Sequence, residues 1–230
     1  MKRLGILGGM GPAASAEFVN RLIKKTPATC DQEHIPFVLW NEPRIPDRST
    51  SIRSGDNLPL HWLQGGVRGL MNAGCSYIVI PCNSAHFWYS QLSEISVPIL
   101  HIVDSVAEEL KSLNLSGKNI GILGTQGTIE SGLYQTRLND QGWNCIVPSK
   151  EEMSTLVQPA INLIKSGELE QSHPMFMSVV DSLIARGAQA VVLGCTEIPL
   201  AVKEDNHNGI PLINSIDSLV KAAIKERSRP

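Results

Sequence analysis

The sequence predicts an α/β protein made of two similar halves, each a mainly parallel sheet flanked by helices. Three observations carry this. Short apolar runs alternate with longer stretches of helical period. The pattern of the first half recurs in the second at a nearly constant offset. The chain has 230 residues, 42% hydrophobic and 18% charged, with Gly 19 and Pro 14. It is therefore long enough for two small domains and apolar enough to bury a core in each.

The elements follow in order. Lys2-Arg3-Leu4-Gly5-Ile6-Leu7 reads as a first strand stopped by Gly8-Gly9. Pro12 to Lys25 reads as a helix, with Phe18, Val19, Leu22 and Ile23 at helical spacing. Pro12 suits its first turn, where a missing N–H costs nothing. Phe37 to Asn41 is a second strand, followed by a loop from Glu42 to Gly55. Leu58 to Ala73 is a helix, Tyr77 to Pro81 a buried strand, and Val97 to Leu100 another that leads into a helix from Asp104 to Leu113. The scheme then restarts with strand Asn119–Leu123, helix Ile129–Asp140 and strand Asn144–Val147. Helices around Met153–Lys165 and Pro174–Arg186 precede strands Ala190–Leu193 and Ile210–Ile213 and a last helix, Ser215–Glu226.

The repeat is explicit in the residues. Lys2-Arg3-Leu4-Gly5-Ile6-Leu7-Gly8 matches Lys118-Asn119-Ile120-Gly121-Ile122-Leu123-Gly124. The run from Ala73 to Cys82 matches the run from Arg186 to Cys195. Val97-Pro98-Ile99-Leu100 with Asp104 matches Ile210-Pro211-Leu212-Ile213 with Asp217. The period is too long for a solenoid. It implies a pseudo-twofold pair of units of about 110 residues each, and Asp104 and Asp217 read as helix N-caps.

Charge and composition exclude several classes. With 20 Lys+Arg against 22 Asp+Glu, a net charge of −2 gives no long-range attraction for nucleic acid or anionic membranes. No apolar run approaches the roughly 18 residues of a membrane span. Met1-Lys2-Arg3 imitates the start of a leader peptide, but the apolar stretch after it is short and broken by Gly8-Gly9, so a cytoplasmic protein is expected. P-loop, HExxH and dinucleotide glycine patterns are missing. Gly8-Gly9-Met10-Gly11 reads instead as exposed backbone N–H groups at a helix start, suited to a carboxylate. Five cysteines, an odd count without CxxC spacing, argue against a disulfide scaffold or structural zinc.

The repeat pairs one cysteine with another, Cys82 with Cys195, and leaves Cys30, Cys75 and Cys145 without counterparts. Both paired residues end a buried strand and precede small polar residues, Asn83-Ser84 and Thr196-Glu197. In open parallel sheets, sites lie at the carboxyl ends of strands. There, free N–H groups and the helix dipole are expected to lower a thiol pKa. Packed core cysteines are the plainer alternative. Two equivalent thiols facing each other across a cleft suit proton removal from one face of a carbon and return to the other, which inverts a stereocentre without a cofactor.

The sequence resembles the aspartate/glutamate racemase superfamily, and within it the aspartate racemase branch. The carriers are Leu7-Gly8-Gly9-Met10-Gly11-Pro12, Ile45-Pro46-Asp47-Arg48, Pro81-Cys82-Asn83-Ser84-Ala85-His86, Gly124-Thr125-Gln126-Gly127-Thr128 and Gly194-Cys195-Thr196-Glu197-Ile198. The resemblance implies two pseudo-symmetric Rossmann-like domains (residues 1–97 with 211–230, and 98–210) and a site in the interdomain cleft. It implies no pyridoxal phosphate, no metal and a homodimer. It makes Cys82 and Cys195 the catalytic acid and base. Backbone N–H groups and side chains of Asn83, Ser84, Ala85 and Thr196 would hold the α-carboxylate of a dicarboxylic amino acid, with Met10 and Thr125 lining the cleft. Arg48 and Lys165 would meet substrate carboxylates, and a guanidinium fork suits such a partner.

The sequence lacks the Asp-Ser-Gly that follows the first strand in glutamate racemases. It also carries Glu197 where those enzymes have histidine. Both departures favour the aspartate branch, and an intact Cys82 favours racemisation in both directions. His86 is left between orienting a thiol and packing. Glutamate or hydantoin racemisation, maleate isomerisation and malonate decarboxylation are alternatives within the superfamily. A catalytically silent dicarboxylate-binding protein is an alternative outside enzymology.

Overall fold

The computed structural model describes residues 2–227. Met1 of the leader-like start and residues 228–230 of the expected N-terminal domain lie outside the described residues.

In the first half, β1 (Leu4–Gly8), α1 (Pro12–Lys25), β2 (Phe37–Asn41), α2 (Arg48–Ser54), α3 (Leu58–Asn72) and β3 (Tyr77–Val79) are followed by a 3-10 turn at Ser84–Trp88. Then come α4 (Tyr89–Ser93), β4 (Ile99–Leu100) and α5 (Ile102–Ser112). The second half runs β5 (Asn119–Leu123), α6 (Gln126–Glu130), α7 (Leu133–Asn139), β6 (Asn144–Ile146), α8 (Lys150–Glu152), a π turn at Met153–Val157, α9 (Gln158–Ser166) and α10 (Leu169–Ala185). It closes with β7 (Ala190–Leu193), α11 (Ile198–Ala201), β8 (Asn206–His207), β9 (Ile210–Asn214) and α12 (Ser215–Arg227).

The first sheet has the order β2-β1-β3-β4 and the second β6-β5-β7-β9-β8. Position for position, β6-β5-β7-β9 repeats β2-β1-β3-β4, with Leu4 beside Tyr77 in one sheet and Ile120 beside Ala190 in the other. All pairings are parallel except β8 with β9, an antiparallel addition that the sequence pattern does not announce. The central strands β1, β3 and β7 are buried along their whole length, as strands covered on both faces must be.

Three apolar clusters fill the structure. Each half has an outer core, one around Leu7, Leu63, Val67 and Ile78, the other around Val157, Ile161, Phe176 and Val191. A third cluster joins inner faces of both sheets, Leu4, Ile6 and Val79 with Ile120, Ile122 and Val192, through Val106, Leu110, Ile216 and Val220. The helices of that third cluster are exchanged between halves. α5, which follows the last strand of the first sheet, packs on α7, and α12, which follows β9, packs on α1. Arg21 and Lys25 of α1 fix the exchange with ion pairs of 2.8 and 3.0 Å to Asp217.

Several expectations change. β4 belongs to the first sheet and β9 to the second, so sheet membership differs from the expected division at 97/98 and 210/211. Asp104 and Asp217 do not cap their helices. His101 Nδ1 accepts from the Val103 N–H and caps α5, while Asn214 Oδ1 accepts from Ile216 at the start of α12. Asp104 instead binds Arg137 of α7 with both oxygens at 2.8 Å. The expected loop from Glu42 to Gly55 contains α2, nucleated by Asp47, which accepts from the Thr50 N–H at 2.8 Å. It is too short for an apolar period to show. The single helix expected at Ile129–Asp140 is two, broken at Gly132, whose φ of 68° is left-handed.

Among the described residues no helix is long and apolar enough to cross a membrane.

Candidate active site

The carboxyl ends of β1, β3, β5 and β7 face one another, and the residues after them converge on one cleft between the halves. Met10, Arg48, Cys82, Asn83, Ser84, Thr125, Lys165, Cys195 and Thr196 all line it. Nine of the ten expected site residues are thus brought together from positions spread over 186 residues of chain. The exception is Ala85, which is fully buried in the outer core of the first half.

The cleft is tight, with a free volume of about 40 Å³, little more than one water molecule. Any larger ligand therefore needs the halves to part. Some of the contacts between them lie at the rim. Ser49 donates to Thr125 across the cleft at 2.9 Å, and Arg53 pairs with Glu130 at 3.3 Å. Gly127 lies so close to α2 that a Cβ there would meet Ser49 Cα at 2.6 Å. Lys165 Nζ is 3.7 Å from Asp47 Oδ2.

The two cysteines have different surroundings. Cys82 Sγ lies 3.6 Å from Ser84 Oγ, and its backbone is fixed by His86. The imidazole Nδ1 donates to the Cys82 carbonyl at 2.9 Å, and Nε2 accepts from the Ile102 N–H at 3.3 Å. Those two bonds put the proton on Nδ1 and keep the ring neutral. Burial pushes the His86 pKa down to about 4, against backbone hydrogen bonds that pull the other way. His86 thus holds the turn carrying Cys82 and does not reach the thiol. Cys195 is buried as well. Burial pushes its thiol up to about 12; the negative charges of Glu197 and Cys82 add to this, and the Glu197 N–H and Lys165 oppose it. The expected lowering of the thiol pKa is therefore reversed at Cys195. α11 has four residues, too short a dipole to offset the loss of water.

The polar residues divide into those still open to a ligand and those already committed. The Asn83 side chain is committed: Nδ2 donates to Ser215 Oγ at 3.1 Å and Oδ1 accepts from Tyr134 OH at 2.6 Å. Ser215 in turn donates to the Leu193 carbonyl, so this chain ties the Cys82 loop to the strand that carries Cys195. Asn83 can serve a ligand through its backbone N–H. Arg48 donates to the carbonyls of Ile45, Pro46 and Met10 at 3.1–3.3 Å, while its Nε is buried without a partner. Thr125 caps α6 by accepting from Thr128 N–H and takes the Ser49 bond. Cys30, Cys75 and Cys145 lie outside the cleft lining, and burial pushes Cys145 up to about 11.

The structure adds Asp47 and Glu197, two carboxylates in the cleft wall. Asp47 adjoins Arg48 in a motif visible in the sequence, and its pKa falls although burial alone would raise it. The Thr50 N–H, Lys165 and Arg48 outweigh burial there. Glu197 is 9% exposed and its pKa is raised, chiefly by burial, with Lys165 and Arg48 opposing and Asp47 adding. Among the described residues no group of three or more His, Cys, Asp or Glu side chains is placed to hold a metal ion.

Known proteins share the fold of this chain. The family model for Asp/Glu/Hydantoin racemase matches residues 7–223. A Bacillus subtilis protein described as broad specificity amino-acid racemase RacX is 29% identical over 226 residues, covering 96% of each chain. The structure of Picrophilus torridus aspartate racemase matches at a TM-score of 0.87 and 30% identity, over 100% of this chain and 96% of that one. A glutamate racemase from Campylobacter jejuni subsp. jejuni matches at 0.65 and 20% identity over 99% and 86%, a likeness of fold alone.

Proposed function

The chain belongs to the Asp/Glu/hydantoin racemase family, and on that premise we propose that it racemises aspartate, L to D and back, with Cys82 and Cys195 as the two acid/base groups. The observation that carries the reading is the convergence of two repeat-related cysteines on one cleft that also holds Arg48 and Lys165.

A thiolate on one face takes the α-proton. The electron pair left on carbon spreads into the α-carboxylate, which accepts hydrogen bonds from the backbone N–H groups of Asn83 and Ser84 and from Thr196. The thiol on the other face then gives its proton to the same carbon and becomes the thiolate. Burial pushes the Cys195 thiol up to about 12, which suits it to give its proton in one direction of the reaction. The return reaction starts with the roles exchanged. Arg48 and Lys165 supply the positive field for the side-chain carboxylate. Neither pyridoxal phosphate nor a metal takes part in these steps. The parted cleft admits substrate, and the halves close around it and exclude water.

The similarity to the Picrophilus torridus enzyme supports aspartate as substrate, and the reading includes a cytoplasmic homodimer. The exposed apolar side chains of the edge strand β2, Phe37, Leu39 and Trp40, support a second copy. The test is incubation of the protein with each enantiomer of aspartate, glutamate and a panel of neutral and basic amino acids, followed by chiral chromatography. Aspartate should racemise from either enantiomer. Racemisation of other amino acids but not aspartate would overturn the substrate, and no racemisation of any would overturn the enzyme.

A further inference from the structure

An amino acid at neutral pH brings a positive α-ammonium as well as its carboxylates. The groups assigned so far are cations, thiols, backbone N–H groups and neutral polar side chains, and none of them carries the carboxylate that would offset the charge of an ammonium. Burying that group without an acceptor is costly. Among the described residues the carboxylates in the cleft wall are Asp47 and Glu197. Asp47 is engaged, since its Oδ1 accepts from the N–H and hydroxyl of Thr50 at 2.8 and 3.0 Å and its Oδ2 faces Lys165.

Glu197 differs on every count. It is 9% exposed, and its interactions are charge at a distance, with Lys165, Arg48 and Asp47. Its carboxylate lies against the turn after β1, where a Cβ on Gly11 would come within 3.0 Å of Oε1. It lines both the catalytic cleft and the adjoining cavity of about 280 Å³ beside Pro12, Ala13 and Leu200. It stands two residues from Cys195, in the wall of the same cleft. We propose that Glu197 accepts the α-ammonium of the substrate and thereby makes the site selective for amino acids over plain dicarboxylates. This rests on the reading of the protein as an amino-acid racemase. It also gives the bound ammonium a second effect. Glu197 is one of the charges that hold the Cys195 proton in place, and pairing with the ammonium weakens that hold when a substrate is present.

The test is calorimetric binding of L-aspartate and of succinate, which has the same two carboxylates but no ammonium. The unaltered protein, Glu197→Gln and Glu197→Asp are compared, with thermal unfolding as the check on folding. The unaltered protein should prefer aspartate by about tenfold or more. Glu197→Gln should bind aspartate about 30-fold more weakly and succinate as well as before or better. Glu197→Asp, which keeps the charge, should retain part of the preference. Equal binding of the two ligands by the unaltered protein, binding of neither, or equal weakening of both by Glu197→Gln would overturn the proposal. A protein that shows the predicted preference and yet racemises no amino acid would keep Glu197 as the ammonium acceptor and overturn the racemase reading.

Discussion

The two halves deliver the same functional group in different surroundings. Cys82 follows β3, faces the hydroxyl of Ser84 and sits on a turn pinned by the neutral His86. Cys195 follows β7, has a carboxylate two residues on and is buried deeply enough to hold its proton up to a pKa of about 12. Topology repeats at the strands, where β2-β1-β3-β4 corresponds to β6-β5-β7-β9. Chemistry departs just after them, where Asn83-Ser84 stands opposite Thr196-Glu197. Duplication of a fold thus aims two thiols at one point, while a few residues beyond each strand set the surroundings of each.

The strongest way to break the comparison is to remove either thiol. Cys82→Ser and Cys195→Ser should each lower the rate of aspartate racemisation by about 10³-fold, within the usual range for loss of a positioned acid or base. They should differ in what is left. Each variant should still exchange the α-proton of the enantiomer that faces its remaining cysteine, followed by proton NMR in deuterated water. Equal residual exchange of both enantiomers in both variants would erase the distinction between the halves.

A smaller effect tests the pinning of the Cys82 turn. The pKa of His86 is about 4 folded against about 6.5 unfolded. A group depressed on folding favours the native state fully above its unfolded pKa, and that contribution disappears as pH falls toward the folded value. Stability should therefore drop between pH 6.5 and 4, by about 3 kcal/mol from His86, with His101, also depressed chiefly by burial, acting in the same direction. Urea unfolding at stepped pH measures this. His86→Gln should flatten the dependence over that window, and an unchanged slope would remove His86 from the account.

Much of this was legible in the sequence, because strand order, helix faces and the pairing of Cys82 with Cys195 all follow from local pattern and its repetition. Pro12 marks the start of α1, and the apolar run Ala190–Leu193 marks β7 to the residue. What escaped depends on contacts between distant residues. Asp104 looks like an N-cap until Arg137 is found beside it. Nothing near Tyr134 in the sequence says that its hydroxyl meets Asn83, so the Asn83 side chain read as a substrate contact when it is a brace. Cys195 was expected to ionise readily from its place at a strand end, but burial, which no local motif reports, outweighs a helix of one turn. Glu197 stood out in the sequence as a departure without an assigned role. Its closeness to Gly11, Arg48 and Lys165 is what gives it one.

The central claim is that the α-carbon loses its proton to one thiol and regains one from the other. It is tested most directly by the unaltered protein in deuterated water, starting from a single enantiomer of aspartate and sampled early in the reaction. The account predicts deuterium at the α-carbon of newly formed product and almost none in the remaining substrate, from L or from D. Deuterium appearing equally in recovered substrate and product would mean that one group serves both faces, and would contradict it.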